Sequence, residues 1–277
     1  SFPTTEETEE NRRFSSEVGA RMSTFKDRIR VVSERRRSNI VFALDLANQD
    51  PATLSERCAH ILESVASHVC ALKLNRPLIL RLGLKDGIRK LLELAHNFGL
   101  PAIMDAKLND VAHTNLAIAK QYFDAGFDAV IASPFVGWEG GLDSLFAEAS
   151  RRDKGIILLV HMSHKGAVEG YGQTDIDPRT NGRRAQFMIF AEKAVAWGAD
   201  GAVIGATHVE QIAAAKRILG EKVPVYSPGV IAQGASPIEA VKAGADYLIV
   251  GRAIYDSADP AASARSIRNQ VSSALAT

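Results

Sequence analysis

The sequence predicts an α/β protein: a single (β/α)8 barrel, or TIM barrel, carrying a polar N-terminal extension. Short apolar runs of strand character alternate with amphipathic helical stretches eight times, at roughly constant spacing. Runs such as Ile156-Ile-Leu-Leu-Val160 are apolar at every position, as in a parallel sheet covered on both faces. Each right-handed crossover returns the chain in the same direction, and eight such units in about 240 residues match the size of this barrel. A doubly wound open sheet is the competing arrangement, weakened by the absence of Gly-x-Gly-x-x-Gly after the first strand.

In chain order, residues 1–37 are polar and charge-rich and form the extension. Ser1 to about Gly19 reads as a flexible tail. From Ser23, the spacing of Phe25, Ile29 and Val32 predicts one amphipathic helix that covers the bottom of the fold. The run Arg35-Arg-Arg37 reads as a solvated charge cluster rather than a nucleic-acid patch. Residues 38–277 form the catalytic barrel. Strand Asn39–Asp45 precedes helix Thr53–Ser67, whose Leu54, Ile61, Leu62 and Val65 share a face. Next come strand Val69–Leu74 with helix Ile79–Phe98, and strand Pro101–Ala106 with helix Ala112–Ala125. Strand Asp128–Ser133 is followed by helix Gly141–Arg151, and strand Gly155–His161 by helix Arg184–Trp197. Between those last two, the segment from Lys165 to Arg183 is long for a barrel connection and reads as either a lid or an insertion. Strand Gly201–Ile204 precedes helix Val209–Leu219; strands Val223–Ser227 and Asp246–Val250 precede helices Pro237–Ala243 and Asp259–Leu275. Three helix ends share a pattern: Ala-Gly-Phe-Asp at 125–128, Trp-Gly-Ala-Asp at 197–200 and Ala-Gly-Ala-Asp at 243–246. Glycine suits the position just past a helix, so these glycines and aspartates are expected to be structural, at the bottom of the barrel.

Composition narrows the function. With 33 Lys and Arg against 32 Asp and Glu, the net charge of +1 argues against nucleic acid as a partner. Two cysteines, Cys58 and Cys70, make neither a disulfide framework nor a zinc pattern and imply reduced thiols in a cytoplasmic protein. The lack of a membrane-length apolar stretch or a signal-peptide core argues against membrane insertion and secretion.

In such a barrel the active site forms at the C-terminal strand ends. Here those ends carry Asp45, Lys73, Asp105 with Lys107, His161-Met-Ser163-His164, Ser227-Pro228-Gly229 and Gly251-Arg252. Side chains alternate faces with period two along a strand, so Asp105 and Lys107 look into one space and Asp110 falls in the following connection. Asp105 with Lys107 also reads as a structural ion pair, Asp110 as a helix N-cap, and the whole set as a satisfied polar plug. The sharper reading of an Asp45–Lys73–Asp105–Lys107 chain is a lysine working as acid or base. After strand seven comes Pro228-Gly-Val-Ile-Ala-Gln233-Gly234, and after strand eight Gly251-Arg252 opens a short helix; these are the loops where barrels commonly bind phosphate. His161 and His164, three apart at a strand end, are a weak metal pattern, and no metal site is assigned.

The motifs Phe42-Ala-Leu-Asp45, Leu72-Lys73, Asp105-Ala-Lys107-Leu-Asn-Asp110-Val111-Ala-His-Thr114-Asn, Ser227-Pro228-Gly229…Gln233-Gly and Val250-Gly-Arg252-Ala-Ile-Tyr resemble the orotidine 5′-phosphate decarboxylase family, in order from about residue 39 to 270. The resemblance implies cofactor-free decarboxylation of orotidine 5′-monophosphate to uridine 5′-monophosphate, the last step of pyrimidine nucleotide synthesis. It implies that Asp45 binds the ribose, that Lys73 links the sugar hydroxyls to Asp105, and that Lys107 protonates C6 once carbon dioxide has left. Ser163 would contact the base, and Pro228, Gln233, Gly251 and Arg252 would hold the phosphate. Asp110, Val111 and Thr114 would complete the site of the other subunit in a homodimer. Val111 stands where the family often has Ile, residues 1–37 have no assigned counterpart, and the length implies a monofunctional enzyme. Two other readings stay open: a related lyase acting on a keto-sugar phosphate with magnesium, and an idle barrel kept as a phosphate-ligand-binding module.

Overall fold

Four mostly buried strands begin the barrel: β1 (Ile40–Ala43), β2 (Ala71–Asn75), β3 (Ala102–Leu108) and β4 (Ala129–Ala132). Four more complete it: β5 (Gly155–His161), β6 (Gly201–Ile204), β7 (Val225–Pro228) and β8 (Tyr247–Val250). All are parallel to their neighbours, and β1 pairs with both β2 and β8, closing the ring. These coordinates are a computed structural model that describes residues 24–46, 50–176 and 181–275. The expected tail, Ser1 to about Gly19, lies outside the described residues.

The helices fall on the outside: α1 (Phe25–Arg36), α2 (Pro51–Val65), α3 (Arg76–Leu82), α4 (Arg89–Asn97), α5 (Ala112–Ala125) and α6 (Asp143–Arg151). They continue with α7 (Gln186–Ala196), α8 (Val209–Leu219), α9 (Pro237–Lys242), α10 (Arg252–Tyr255) and α11 (Pro260–Leu275). Residues Phe25, Ile29 and Val32 of α1 are buried, as their spacing predicts, and the helix starts with a capping box between Thr24 and Asp27. It closes the bottom of the barrel. Phe25 lies so near Gly155, the first residue of β5, that a Cβ there would come within 2.6 Å of the ring. Arg36 at its far end donates to the carbonyls of Ala66 and Phe98, beyond the C-termini of α2 and α4.

The glycine and aspartate pattern is structural, as expected. Gly126, Gly198 and Gly244 have φ of 119°, 68° and 111°. Asp128 accepts the N–H of Ala102 at 2.9 Å, Asp200 that of Ile156 at 3.1 Å, and Asp246 that of Val225 at 2.7 Å. Each carboxylate therefore ties the start of its own strand to the start of the strand before.

The helices depart most from expectation in three places. The single helix expected over 79–98 is three segments, α3, a wide turn at Gly83–Ile88 and α4. Gly83 with φ 74° and the tight packing of Gly87 on the Leu82 backbone interrupt the regular ladder. Next, α7 begins at Gln186 because Arg183–Ala185 pairs antiparallel with Thr174–Ile176, which makes part of the long 165–183 connection a hairpin. Finally, α6 begins at Asp143, after a wide turn at Trp138–Leu142. No helix among the described residues is long and apolar enough to cross a membrane, and Cys58 and Cys70 are buried free thiols.

Candidate active site

The C-terminal strand ends surround a pocket of about 240 Å³. Its lining includes Asp45, Lys73, Asp105, Lys107, Ser163, Pro228, Gln233, Gly251 and Arg252, nine of the twelve residues singled out from sequence. Period-two alternation brings Asp105 and Lys107 to the same face, with Ala106 buried between them. The backbone that does so is not regular. The register of β3 against β4 shifts between Met104 and Leu108, and Lys107 sits at φ 47°, in the left-handed region that side chains other than glycine and asparagine seldom adopt. Strain of this kind costs on the order of 1 kcal/mol and clusters where a side chain must be held in one place.

The charges form a chain across three strands. Lys73 Nζ lies 3.0 Å from Asp105 Oδ2 and 3.5 Å from Asp45 Oδ2, and Lys107 Nζ lies 2.5 Å from Asp105 Oδ1. Burial works against the Lys73 ammonium, but Asp105 and Asp45 outweigh it and hold its pKa above the ordinary lysine value. Burial likewise opposes ionisation of Asp105, yet Lys73 and Lys107 bring its carboxyl down to about 2. At neutral pH the Lys73 ammonium and the Asp105 carboxylate are therefore both charged inside the pocket, with Asp45 and Lys107 as their further partners. The expected ion pair is present; it lines a cavity rather than plugging one. Asp45 Oδ1 is buried and finds no hydrogen-bond partner among the described residues, which leaves an acceptor available to a ligand hydroxyl.

At the β7 and β8 ends of the pocket, the loop after β7 folds back through an Ile231 N–H to Ala235 carbonyl bond of 2.8 Å. Arg252 Nη2 donates to Ala232 O at 3.4 Å, so the Gln233 loop and the guanidinium converge. Ala43 crowds Gly251: a Cβ there would lie 3.0 Å from the Ala43 carbonyl oxygen, so the neighbour would have to give way. The arrangement presents an amide, a cation and a close-approach backbone, a set of groups suited to an anion.

Asp110, Val111 and Thr114 do not line this pocket. Asp110 and Val111 are exposed and Thr114 is half-buried. Asp110 is not a helix N-cap: Val111 occupies that position, and Asp110 Oδ1 accepts the Val111 N–H at 2.7 Å. What holds the turn is Asn115, fully buried, which accepts the Asp110 N–H and donates to the Asp110 and Gly141 carbonyls. Several lining residues had no assigned role: Met162, Gly229 and Tyr255, with Ile131, Leu159, Val203 and Ile249 as an apolar floor. Inward alternation near the ends of β4, β5, β6 and β8 is the signal that marks the floor residues. Among the described residues, His161 and His164 join no group of three or more His, Cys, Asp or Glu placed to hold a metal.

Residues 38–267 match the model of the orotidine 5′-phosphate decarboxylase / HUMPS family. The orotidine 5′-phosphate decarboxylase of Pyrococcus furiosus is 37% identical over 232 residues, covering 84% of this chain and 97% of that protein. That of Methanosarcina mazei is 35% identical over 240 residues, covering 87% and 98%. Among solved structures, orotidine 5′-monophosphate decarboxylase from Methanocaldococcus jannaschii, complexed with the inhibitor BMP, superposes with a TM-score of 0.70 at 28% identity, covering 84% of this chain and 98% of that one. With a barrel of the same architecture, an Asp-x-Lys-x-x-Asp motif at the mouth and relatives matched over nearly their whole length, this chain belongs to the orotidine 5′-phosphate decarboxylase / HUMPS family.

Proposed function

We infer that this chain is an orotidine-5′-phosphate decarboxylase, a carboxy-lyase that converts orotidine 5′-monophosphate to uridine 5′-monophosphate and carbon dioxide. The observation that carries this reading is the Lys73–Asp105–Lys107 array, joined by contacts of 3.0 and 2.5 Å in the pocket. Breaking the bond from C6 to the carboxylate leaves an electron pair on C6 that the ring does not delocalise, so a fixed ammonium at that carbon is the effective stabiliser. Lys107 is that ammonium and delivers its proton to C6; solvent then restores it. Asp105 lies beside the departing carboxylate and, with Lys73, holds Lys107 in place. Asp45 and Lys73 take the ribose hydroxyls, Ser163 the base, and Pro228, Gln233, Gly251 and Arg252 the phosphate. These contacts lie far from the reacting carbon, and their binding energy favours the closed, assembled site. The chemistry is complete with the chain's own groups and calls on no metal or organic cofactor.

The site is shared between two copies in this reading. Asp110, Val111 and Thr114 reach the partner's pocket, and the exposed Val111 and Leu80, on the connections after β3 and β2, supply apolar surface for the contact. Mixing Lys107→Ala and Asp110→Ala proteins under conditions that exchange subunits tests this: activity reappears if sites are shared and stays absent if each site is built from one chain.

The primary test is the fall in ultraviolet absorbance of orotidine 5′-monophosphate, with and without a chelator. Equal decay in both supports the reading. Decay only without chelator points to a metal-dependent lyase of the same family, and no decay with intact, folded protein points to a phosphate-ligand-binding module.

A further inference from the structure

The end of β5 is turned before it reaches the pocket. Its ladder with β6 pairs Leu159 with Val203 and then His161 with Ile204, so Val160 is an inserted residue. A bulge re-aims the side chains that follow it. Here those are Met162 and Ser163, both on the pocket wall.

Three contacts hold the turned segment. The His161 side chain, 1% exposed, places Nδ1 2.7 Å from the Met162 carbonyl oxygen. A carbonyl only accepts, so Nδ1 carries the proton. Thr207 Oγ1 donates to the Ser163 carbonyl at 2.7 Å, and the Gly205 N–H donates to the His161 carbonyl at 3.0 Å. Only glycine fits at 205, because a Cβ there would lie 2.4 Å from Ser163 Cα.

The His161 ring itself is packed against Tyr171, Phe187 and His208, with centroids 5.5, 5.7 and 4.5 Å away. Burial, with His208 and His164 nearby, outweighs the Met162 carbonyl and lowers its pKa below the ordinary histidine value, which favours the neutral imidazole. Its Nε2 is buried with no partner among the described residues, and the ring does not line the pocket. Buried and outside the cavity, it is placed to hold backbone rather than to transfer protons.

We propose that His161 is a positioning residue for pyrimidine recognition: by holding the Met162 carbonyl through Nδ1–H, it fixes Ser163 where the base arrives. The proposal rests on the assignment of Ser163 to the base. Its test compares the affinities of uridine 5′-monophosphate and ribose 5-phosphate, measured by calorimetry, since the second ligand has no base for Ser163 to meet. Ser163→Ala and His161→Leu each weaken uridine 5′-monophosphate about ten-fold, the size of one lost hydrogen bond, and leave ribose 5-phosphate within about two-fold. The double variant loses little more than either single one, because both act through the same contact. His161→Asn, whose amide donor stands close to the Nδ1 position, recovers most of the loss. Where the leucine variant does not fold, His161→Gln replaces it, since its amide reaches toward the Nε2 position and leaves the carbonyl unheld. Equal weakening of both ligands, additive losses or an asparagine variant as weak as leucine overturns the proposal. So does full affinity for uridine 5′-monophosphate in the His161 variants while Ser163→Ala is weak, which leaves the role of Ser163 standing. Full affinity in Ser163→Ala overturns that role and the proposal together.

Discussion

Asp105 at the mouth of the barrel and Asp128 at its floor titrate alike, each brought to about 2 against its burial, Asp105 by Lys73 and Lys107 and Asp128 by its His96 hydrogen bond, Lys154 and the Ala102 N–H. Their partners set them apart. Asp128 takes His96 at 2.9 Å, Lys154 at 3.3 Å and the backbone N–H of Ala102 at 2.9 Å, so its bonds join elements of the fold. Asp105 takes two lysine ammonium groups, Lys73 and Lys107, both exposed to a cavity. A depressed pKa thus marks a carboxylate with hydrogen-bond donors or cations nearby and does not by itself mark a catalytic one. Asp200 makes the point from the other side. It sits at the floor like Asp128 and accepts backbone N–H groups from Ile156 and Lys26, but burial raises its pKa.

The contrast is sharpest in substitutions that separate activity from stability. Lys107→Ala is expected to lower kcat by at least about 10³-fold while the protein stays folded, measured by the absorbance assay beside circular dichroism. Normal turnover in that variant would remove the mouth from the chemistry. Arg252→Ala removes a charge-assisted contact and should raise KM about thirty-fold, on the order of 2 kcal/mol, with a smaller effect on kcat. Asp128→Asn should do the reverse: a loss of about 2 kcal/mol and a Tm lower by roughly 4–8 °C, with kcat/KM within about two-fold. The smallest effect is in the pH dependence. The folded pKa of Asp128 is below its ordinary 3.8, so its stabilisation is complete at neutral pH and is lost as pH falls through 3.8 toward 2. Acid unfolding of Asp128→Asn should therefore show a shallower dependence on pH than the parent over that window.

The barrel was legible because every strand is a short apolar run and each helix carries a spaced apolar face; observed strand bounds differ from the expected ones by three residues or fewer. The pocket was legible because ionisable residues at strand ends have no structural reason to be apolar-flanked. The left-handed backbone at Lys107 left no trace in the sequence, since lysine is not a residue that advertises that conformation. The role of Asn115 was equally hidden, because its partners at Asp110 and Gly141 are backbone groups that any sequence supplies. The 174–185 hairpin was missed because its strands are three residues each and charged, too short for alternation to register.

The aspartate ties at the floor join strands two at a time: β3 with β4, β5 with β6, and β7 with β8. Among the described residues, these three carboxylates accept no strand N–H across the seams between those pairs, and their one side-chain contact from strand to strand there is the Asp128–Lys154 ion pair from β4 to β5. A ring stitched this way should open by cooperative units of two strands and two helices rather than strand by strand. In native-state hydrogen exchange, the amides of Ala102, Ile156 and Val225 would then each share one opening free energy with the strand that follows. The thrice-repeated Gly-x-Asp at the helix ends is, on that view, a record of which strands stay together when the barrel opens.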